Sequence, residues 1–211
     1  MPKRSDVLSW LSSLYMYLEE KHLRIGIVGC SGSGKTSLVR AYIAHLLRRR
    51  GRAGYRVIIF DPLREYSGRL VHTPRQLLRS ARNKYSVTRF SDAEIWGRIA
   101  PIVLRAGHCS VVLDEAHEVY PRYGTTAAAS SVITKGRHNA ISILWATQRP
   151  SRCNTDLLGN TTGVLVGRLM APADMRWQRG WGILDVQDFY RFSAVLPGRE
   201  PFIVQSEASR Y

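Results

Sequence analysis

The feature that most constrains the fold of this chain is the stretch from Gly29 to Thr36, Gly-Cys-Ser-Gly-Ser-Gly-Lys-Thr. It fits the phosphate-binding pattern G-x-x-x-x-G-K-[ST]. Residues 23–28 before it predict a buried strand, and residues 36–47 after it predict a helix. A strand, a glycine turn and a helix N-terminus together aim several backbone N–H groups and the positive end of a helix dipole at one anion. The pattern therefore predicts a nucleotide-binding loop, or P-loop, in an α/β fold.

The residue types in this loop indicate how it would bind a nucleoside triphosphate and its metal. Lys35 is expected to reach the β- and γ-phosphates, and the hydroxyl of Thr36 to take one coordination position of Mg²⁺. The alternative, an ordinary glycine-rich turn, does not explain why strand, lysine and threonine are all in place. We therefore expect ATP and Mg²⁺ as cofactors, with the nucleotide bound by Gly29, Cys30, Ser31, Gly32, Ser33, Gly34, Lys35, Thr36 and Ser37.

Charge is the strongest signal in the composition. The 211 residues include 31 Lys and Arg and 16 Asp and Glu, which leaves a net charge of +15. Arginine outnumbers lysine 26 to 5, and its planar fork of donors suits phosphate. Nucleic acid is the first partner that this charge predicts, and an anionic membrane surface the second. A solvated basic surface, from arginine-rich coding or a hot habitat, is the alternative explanation.

The same composition bears on where the protein works. No apolar run approaches the ~20 residues that a membrane span needs, and the first six residues do not resemble a signal peptide. Cys30, Cys109 and Cys153 are an odd number of cysteines without metal-ligand spacing. We therefore expect a reduced, cytoplasmic protein.

Strand and helix patterns alternate along the chain. Strands are predicted at 23–28, 55–60, 85–90, 110–113, 141–147 and 162–168, and helices at 6–21, 36–47, 73–83, 91–105, 125–136, 157–159 and 184–192, before a closing hairpin at 194–204. We expect one ATPase motor domain over 1–211, made of an N-terminal helix (1–22), a core (23–170) and a C-terminal extension (171–211).

This alternation predicts a parallel sheet with helices on both faces and a site at the C-terminal ends of the strands. The expected fold class is α/β, and the P-loop within this alternation resembles that of RecA-like P-loop NTPases of the additional-strand, catalytic-glutamate type. For the five core strands, without the short one at 85–90, this resemblance implies the order 5-1-4-3-2, and we expect the C-terminal hairpin to extend the sheet.

Two further strand ends carry the polar groups that hydrolysis needs. The run Val111-Val112-Leu113 ends on Asp114 and Glu115, the pattern of a Walker B segment. Asp114 would hold Mg²⁺ through its water shell, and Glu115 would orient and deprotonate the attacking water. Gln148 ends the next core strand, where its amide would sense the γ-phosphate. A surface Asp-Glu pair and an ordinary loop glutamine are the alternatives. His117 completes the tetrad Asp-Glu-Ala-His, the DEAH motif of helicases. We interpret this match as a coincidence, or His117 as a local hydrogen-bonding residue.

The motifs together resemble those of the FtsK–HerA superfamily, P-loop ATPases that pump DNA as ring oligomers. The resemblance rests on the P-loop, the turn Asp61-Pro62…Glu65-Tyr66, the run 113–115 and the run 135–151, within which Ala-Thr-Gln-Arg-Pro-Ser is the most specific part. It spans about residues 23–168. It implies Glu115 as catalytic base, Gln148 as sensor and Arg137 as an arginine finger that reaches a neighbouring subunit's nucleotide. Arg149 is the rival for that role, and a structural arginine at a helix C-terminus is the alternative.

The superfamily resemblance leads to a functional hypothesis and its rivals. A bare, basic motor domain of this size is most similar to viral and phage genome-packaging ATPases. We expect an ATPase coupled to translocation of double-stranded DNA, independent of sequence, in a hexameric or pentameric ring, with a capsid or membrane vertex protein as a further partner. It would work in the host cytoplasm or with the virion. A cellular or conjugative DNA-transfer ATPase and a Zot-like assembly protein are the alternatives. Candidate DNA contacts are Lys84, Arg122 and Tyr123.

Overall fold

The computed structural model describes residues 22–50, 56–82, 87–183, 191–195 and 202–205. Within them, nine strands form one sheet. The strands are β1 Arg24–Val28, β2 Arg56–Phe60, β3 Arg69–Leu70, β4 Val87–Phe90, β5 Cys109–Leu113, β6 Ile141–Thr147, β7 Gly163–Val166, β8 Arg191–Val195 and β9 Phe202–Gln205. The helices are α1 Lys35–Arg50, α2 Pro74–Arg82, α3 Ala93–Ala106, α4 Ala127–Lys135, α5 Thr155–Gly159 and α6 Pro172–Arg179.

The strand order places the P-loop strand inside the sheet. The order is β3-β4-β2-β5-β6-β1-β7-β8-β9, and pairing is parallel from β3 to β7. The five predicted core strands are β1, β2, β5, β6 and β7, and they lie in the predicted order 5-1-4-3-2. Because parallel strands share a direction, the residues that follow β1, β5 and β6 all lie at one edge of the sheet.

The core strands are buried on both faces because helices cover each of them. The residues of β1, β5, β6 and β7 are all buried, as expected for a parallel sheet between helix layers. One face packs against α1 through Val39, Tyr42 and Leu46. The other packs against α3 and α4 through Trp96, Ile99 and Val132, among others. Asp92 caps the N-terminus of α3, where its side chain accepts a hydrogen bond from Glu94 N, and Gly107 follows the last residue of the helix.

The C-terminal part of the chain agrees with the prediction in its hairpin and departs from it in its helices. The predicted hairpin is confirmed, because β8 and β9 pair antiparallel and β8 also pairs with β7. The predicted end of a helix at Phe192 is wrong, because Phe192 lies in β8, fully buried against Gly29 and Gly167. The rest of that helix, at 184–190, lies outside the described residues, as does the predicted N-terminal helix at 6–21. Helix α6 and the short strand β3 were not predicted.

Candidate active site

The P-loop connects the buried end of β1 to the first turn of α1. Gly32 and Gly34 have φ values of 75° and 97°, a left-handed conformation that favours glycine. The backbone N–H of Gly29 donates to Thr147 O at 3.3 Å, and that of Cys30 donates to Arg168 O at 2.7 Å. The loop is therefore fixed to the ends of both neighbouring strands, β6 and β7, and its residues Gly29 to Thr36 lie at the edge of the sheet predicted to carry the site.

Lys35 lies inside this loop. Its side chain is buried, and Nζ donates to the carbonyl oxygen of Cys30 at 3.0 Å. Burial lowers the pKa of Lys35, while the nearby carboxylates of Glu115 and Asp114 act in the opposite direction. An ammonium group that donates to a backbone carbonyl inside the loop, with two carboxylates near enough for their charges to act on it, is suited to binding the terminal phosphates of a nucleotide.

Asp114 ends β5 next to the first turn of α1. Its Oδ2 accepts a 2.8 Å hydrogen bond from the Tyr66 hydroxyl, and its Oδ1 accepts one from Glu115 N at 3.1 Å. Burial raises the pKa of Asp114 to about 6, although these two bonds act against the rise. The hydroxyl of Thr36 donates to Glu65 Oε2 at 3.1 Å. The structure thus ties both predicted metal ligands to one short segment, Asp61 to Tyr66.

The donor chemistry at this point fits Mg²⁺. A threonine hydroxyl and an aspartate carboxylate offer only oxygen, which this hard cation prefers, and Mg²⁺ is usually held by one or two protein groups together with phosphates and waters. Among the described residues, no three His, Cys, Asp or Glu side chains are grouped so that they could hold a metal by themselves. Thr36 and Asp114 would therefore share the ion with the nucleotide.

Glu115 is held in place from the neighbouring strand. Gln148 Nε2 donates to Glu115 Oε1 at 2.7 Å, and Gln148 N donates to Oε2 at 3.4 Å. Burial alone would raise the pKa of Glu115, but hydrogen bonds from His117 and Gln148 and the charge of Lys35 lower it below its usual value. The side chain is therefore an ionised acceptor at neutral pH. Its φ of 49° is an uncommon backbone conformation, of the kind that concentrates at functional sites.

His117 supports this carboxylate from a second side. Its Nδ1 lies 3.4 Å from Glu115 Oε2 and 2.9 Å from the hydroxyl of Thr147, the last residue of β6. The interpretation of His117 as a local hydrogen-bonding residue is confirmed. Its role in orienting Glu115 was missed because a lone histidine after a strand gives no signal of which carboxylate it will face.

The two candidate arginine fingers lie at opposite edges of the sheet. Arg149 follows Gln148 at the P-loop edge, and its Nε lies 3.9 Å from the buried carboxylate of Asp174. Arg137 is exposed in a 3-10 turn, Gly136–Asn139, just before β6 begins. Seven residues of β6 separate the two edges, which is about 20 Å of extended chain. The structure therefore does not bring Arg137 to the P-loop of its own subunit.

A groove runs along the P-loop on the side of β7. It has a volume of about 370 Å³, and the residues that line it include Cys30 and Ser31 of the P-loop together with Gln148, Arg149, Met170 and Ala171. A volume of this size lies within the range of small-molecule sites. The groove is continuous with the P-loop, so it offers room for the part of a nucleotide that extends beyond the phosphates.

A family comparison identifies the chain. Residues 13–128 match the family model described as "Helicase HerA, central domain" (DUF87), which is more than half of the chain. The chain belongs to the HerA central-domain family. The superfamily resemblance inferred from the motifs is thereby confirmed, and the site described above is that of a P-loop NTPase of this family. None of the curated proteins compared with the chain matches it in sequence.

Solved structures show that this HerA-family chain shares the RecA-like P-loop ATPase fold. The genome-packaging NTPase B204 from Sulfolobus turreted icosahedral virus 2, in complex with AMPPCP, aligns with a TM-score of 0.70 at 17% identity, covering 86% of this chain and 96% of B204. B204 from Sulfolobus turreted icosahedral virus, described as a DNA-packaging ATPase, aligns with a TM-score of 0.63 at 18% identity over the same shares. The cytoplasmic domain of the Thermomonospora curvata type VII secretion ATPase EccC aligns with a TM-score of 0.61 at 13% identity, covering 86% of this chain and 23% of EccC.

Proposed function

We propose that this chain is an ATP-hydrolysing DNA translocase that packages a viral or phage genome, working as a ring of six or five subunits. The observation that carries the proposal is the pair formed by Glu115 and Gln148. An ionised carboxylate is fixed by the amide that ends the adjacent strand, close enough to Lys35 for their charges to interact. A fixed acceptor beside a phosphate-binding lysine is the arrangement that activates water for attack on a phosphoryl group.

Each residue of the site then has a defined part in hydrolysis. Lys35 binds the terminal phosphates. Thr36 and Asp114 would hold Mg²⁺, which would neutralise charge on the phosphate oxygens. Glu115 accepts the proton of a water whose oxygen forms a bond to the γ-phosphorus, while the bond between the γ-phosphorus and the β,γ-bridging oxygen breaks and that oxygen leaves with ADP. Gln148 keeps Glu115 oriented and hydrogen-bonds the γ-phosphate from the tip of β6.

Arg137 is proposed to act on the nucleotide of a neighbouring subunit. An arginine finger neutralises the charge that develops on the transferred phosphoryl group. Arg137 is exposed and lies at the edge of the sheet away from its own P-loop, so its own subunit's nucleotide is out of its reach and a finger role would require another subunit's. Arg149 is the weaker candidate, because Asp174 already lies next to its guanidinium in the same subunit.

DNA is proposed as the transported polymer because of the charge of the chain and an exposed loop after β5. The net charge is +15. Tyr123 is 78% exposed, and the guanidinium of Arg122 lies 5.6 Å from the centre of its ring. The loop that carries them is anchored where Pro121 pairs with Cys153. Arginine and an exposed aromatic ring are the groups that contact phosphates and bases without sequence preference. Lys84, the third candidate, lies outside the described residues.

The test is ATP hydrolysis by the purified chain with and without duplex DNA. We expect DNA to stimulate turnover and Glu115→Gln to reduce kcat by at least ~100-fold, the usual contribution of a general base. Glu118→Gln, the same change at an exposed residue three positions on, is the matched control. Normal turnover by Glu115→Gln would exclude the mechanism. Mixing Arg137→Ala with Lys35→Ala subunits should restore part of the activity that each variant lacks alone.

The similarity in fold to a secretion ATPase favours a second candidate, a motor of the same family that moves protein. The charge of +15 argues against it, because a polypeptide substrate does not call for such an excess of arginine. ATPase activity that duplex DNA leaves unchanged, together with no salt-dependent binding of DNA, would favour this alternative.

A further inference from the structure

A buried aspartate at the end of β2 organises the turn that follows it. Asp61 is fully buried, and its two carboxylate oxygens accept the backbone N–H groups of Glu65 at 2.7 Å and Tyr66 at 3.2 Å. Arg89, on the neighbouring strand β4, forms an ion pair with Asp61 Oδ2 at 3.1 Å. Arg64 adopts a φ of 58°, which turns the chain back toward the P-loop. A buried carboxylate with three donors fixes the turn rigidly.

The turn places two side chains directly on the predicted metal ligands. The Tyr66 hydroxyl donates to Asp114 Oδ2 at 2.8 Å, and Glu65 Oε2 accepts the hydroxyl of Thr36 at 3.1 Å. Arg40, on α1, donates to the carbonyl oxygen of Glu65 at 3.0 Å and ties the turn to the helix that begins with the P-loop lysine. Tyr66 is 6% exposed, whereas Glu65 is exposed, so the tyrosine bond is the one shielded from water.

These contacts leave free the lone pairs that a cation or its waters would use. A hydroxyl that donates its one proton to a carboxylate keeps both oxygen lone pairs, so the contact of Thr36 with Glu65 still allows Thr36 to ligate a metal. Tyr66 occupies one acceptor direction on Asp114 Oδ2 and leaves other lone pairs of the carboxylate available. The Tyr66 hydroxyl is the donor in this bond, and it is buried.

We propose that Tyr66 is a positioning residue of the metal–nucleotide site: held by Asp61 and assisted by Glu65, it fixes Asp114 and Thr36 in the geometry that a divalent cation needs. This inference rests on the proposed function, because it concerns the cation that accompanies the nucleotide. Groups that orient metal ligands change metal affinity by ~10- to 100-fold when they are removed.

The experiment measures binding of a fluorescent ATP analogue as a function of MgCl₂ concentration, and again in EDTA. Tyr66→Phe removes only the hydroxyl. We expect it to raise the Mg²⁺ concentration at half-maximal binding by ~10-fold or more, and to leave the affinity in EDTA within about two-fold of wild type. Glu65→Gln should move the Mg²⁺ requirement in the same direction by less, because its contact is exposed to water. Mn²⁺ binding with the nucleotide, followed by electron paramagnetic resonance, gives a readout independent of turnover.

Matched controls separate positioning from loss of stability. Tyr42→Phe removes another buried hydroxyl, one that hydrogen-bonds Ser110 at 3.0 Å, and Glu94→Gln neutralises another exposed glutamate. Both should keep the wild-type Mg²⁺ requirement. Equal losses of affinity in MgCl₂ and in EDTA, or an unchanged Mg²⁺ requirement in Tyr66→Phe, would overturn the inference while leaving the proposed ATPase intact. Absence of nucleotide binding by the wild-type chain would overturn both.

Discussion

Replacing Asp114 with asparagine should stabilise the nucleotide-free protein while removing its ability to hold Mg²⁺. Burial raises the pKa of Asp114 from its ordinary 3.8 to about 6, which shows that the folded protein disfavours the ionised carboxylate. Such a change in pKa lowers the free energy of unfolding by at most about 3 kcal/mol at a pH where the carboxylate is ionised. Asparagine carries no charge to desolvate and can still hydrogen-bond to Tyr66 and to Glu115 N, so most of this penalty should disappear.

The pH dependence of this gain tests the reasoning. Because the folded state holds the proton more tightly than the unfolded chain, stability linked to Asp114 is present below pH ~4 and is lost as the pH rises to ~6. The two pKa values give a penalty of about 1–2 kcal/mol at pH 5 and about 3 kcal/mol at pH 7.5. The advantage of Asp114→Asn over wild type should therefore grow by about 1 kcal/mol between these pH values.

Urea denaturation of nucleotide-free protein in EDTA, followed by tryptophan fluorescence, measures this difference. Asp92→Asn is the control, because it removes a carboxylate at an exposed helix cap where asparagine caps equally well. An Asp114→Asn variant less stable than wild type at pH 7.5, or an advantage that is the same at both pH values, would refute the claim that burial strains Asp114. A confirmed gain would mean that the protein gives up stability to keep a functional carboxylate here.

Three further changes have defined outcomes. Gly26→Ala places a methyl group against the buried indole of Trp145, and overpacking of this kind should lower the free energy of unfolding, measured by urea denaturation, by about 1–3 kcal/mol. Gly159→Ala, which has open space around it, should not lower it. His117→Ala removes a hydrogen bond that lowers the pKa of Glu115, so the acidic limb of the pH profile of kcat should move to higher pH. Arg122→Ala should weaken duplex DNA binding equally for unrelated sequences. It should also reduce the slope of log K against log salt concentration by about one, with K measured by fluorescence anisotropy.

The site could be predicted from sequence where its residues stand at strand ends. Lys35, Asp114 and Gln148 follow three buried strands, and once these strands are parallel neighbours their ends must meet at one edge. The contact of Tyr66 with Asp114 could not be predicted in this way. It depends on the path of a turn fixed by Asp61, and neither periodicity nor spacing gives the direction in which such a turn leaves the strand.

Helix α6 was missed for a different physical reason. Its two fully buried residues, Asp174 and Gln178, are polar and share the inward face with the partly buried Met175 and Trp177, so the apolar period of the helix is interrupted. Asp174 accepts Ser151 N at 2.9 Å and lies near Arg149, which explains why a carboxylate is buried there. The signal that could have found the helix is its start, where Pro172 occupies the first turn and Asp174 follows at a position favoured by the helix dipole.

The position of Arg137 relative to the P-loop bears on how subunits would assemble. Arg137 lies before β6 and the P-loop follows β1, at opposite edges of parallel strands, so a finger acting between subunits must join two different surfaces. A two-fold dimer cannot keep these two surfaces on separate patches, because it buries one self-complementary patch on both partners. A head-to-tail interface can, and when its rotation closes it produces a ring in which every subunit both gives and receives an arginine. Activity restored by mixing Arg137→Ala with Lys35→Ala subunits would then come from interfaces that combine an intact Arg137 with an intact Lys35, and half of the mixed neighbour pairs cannot provide both.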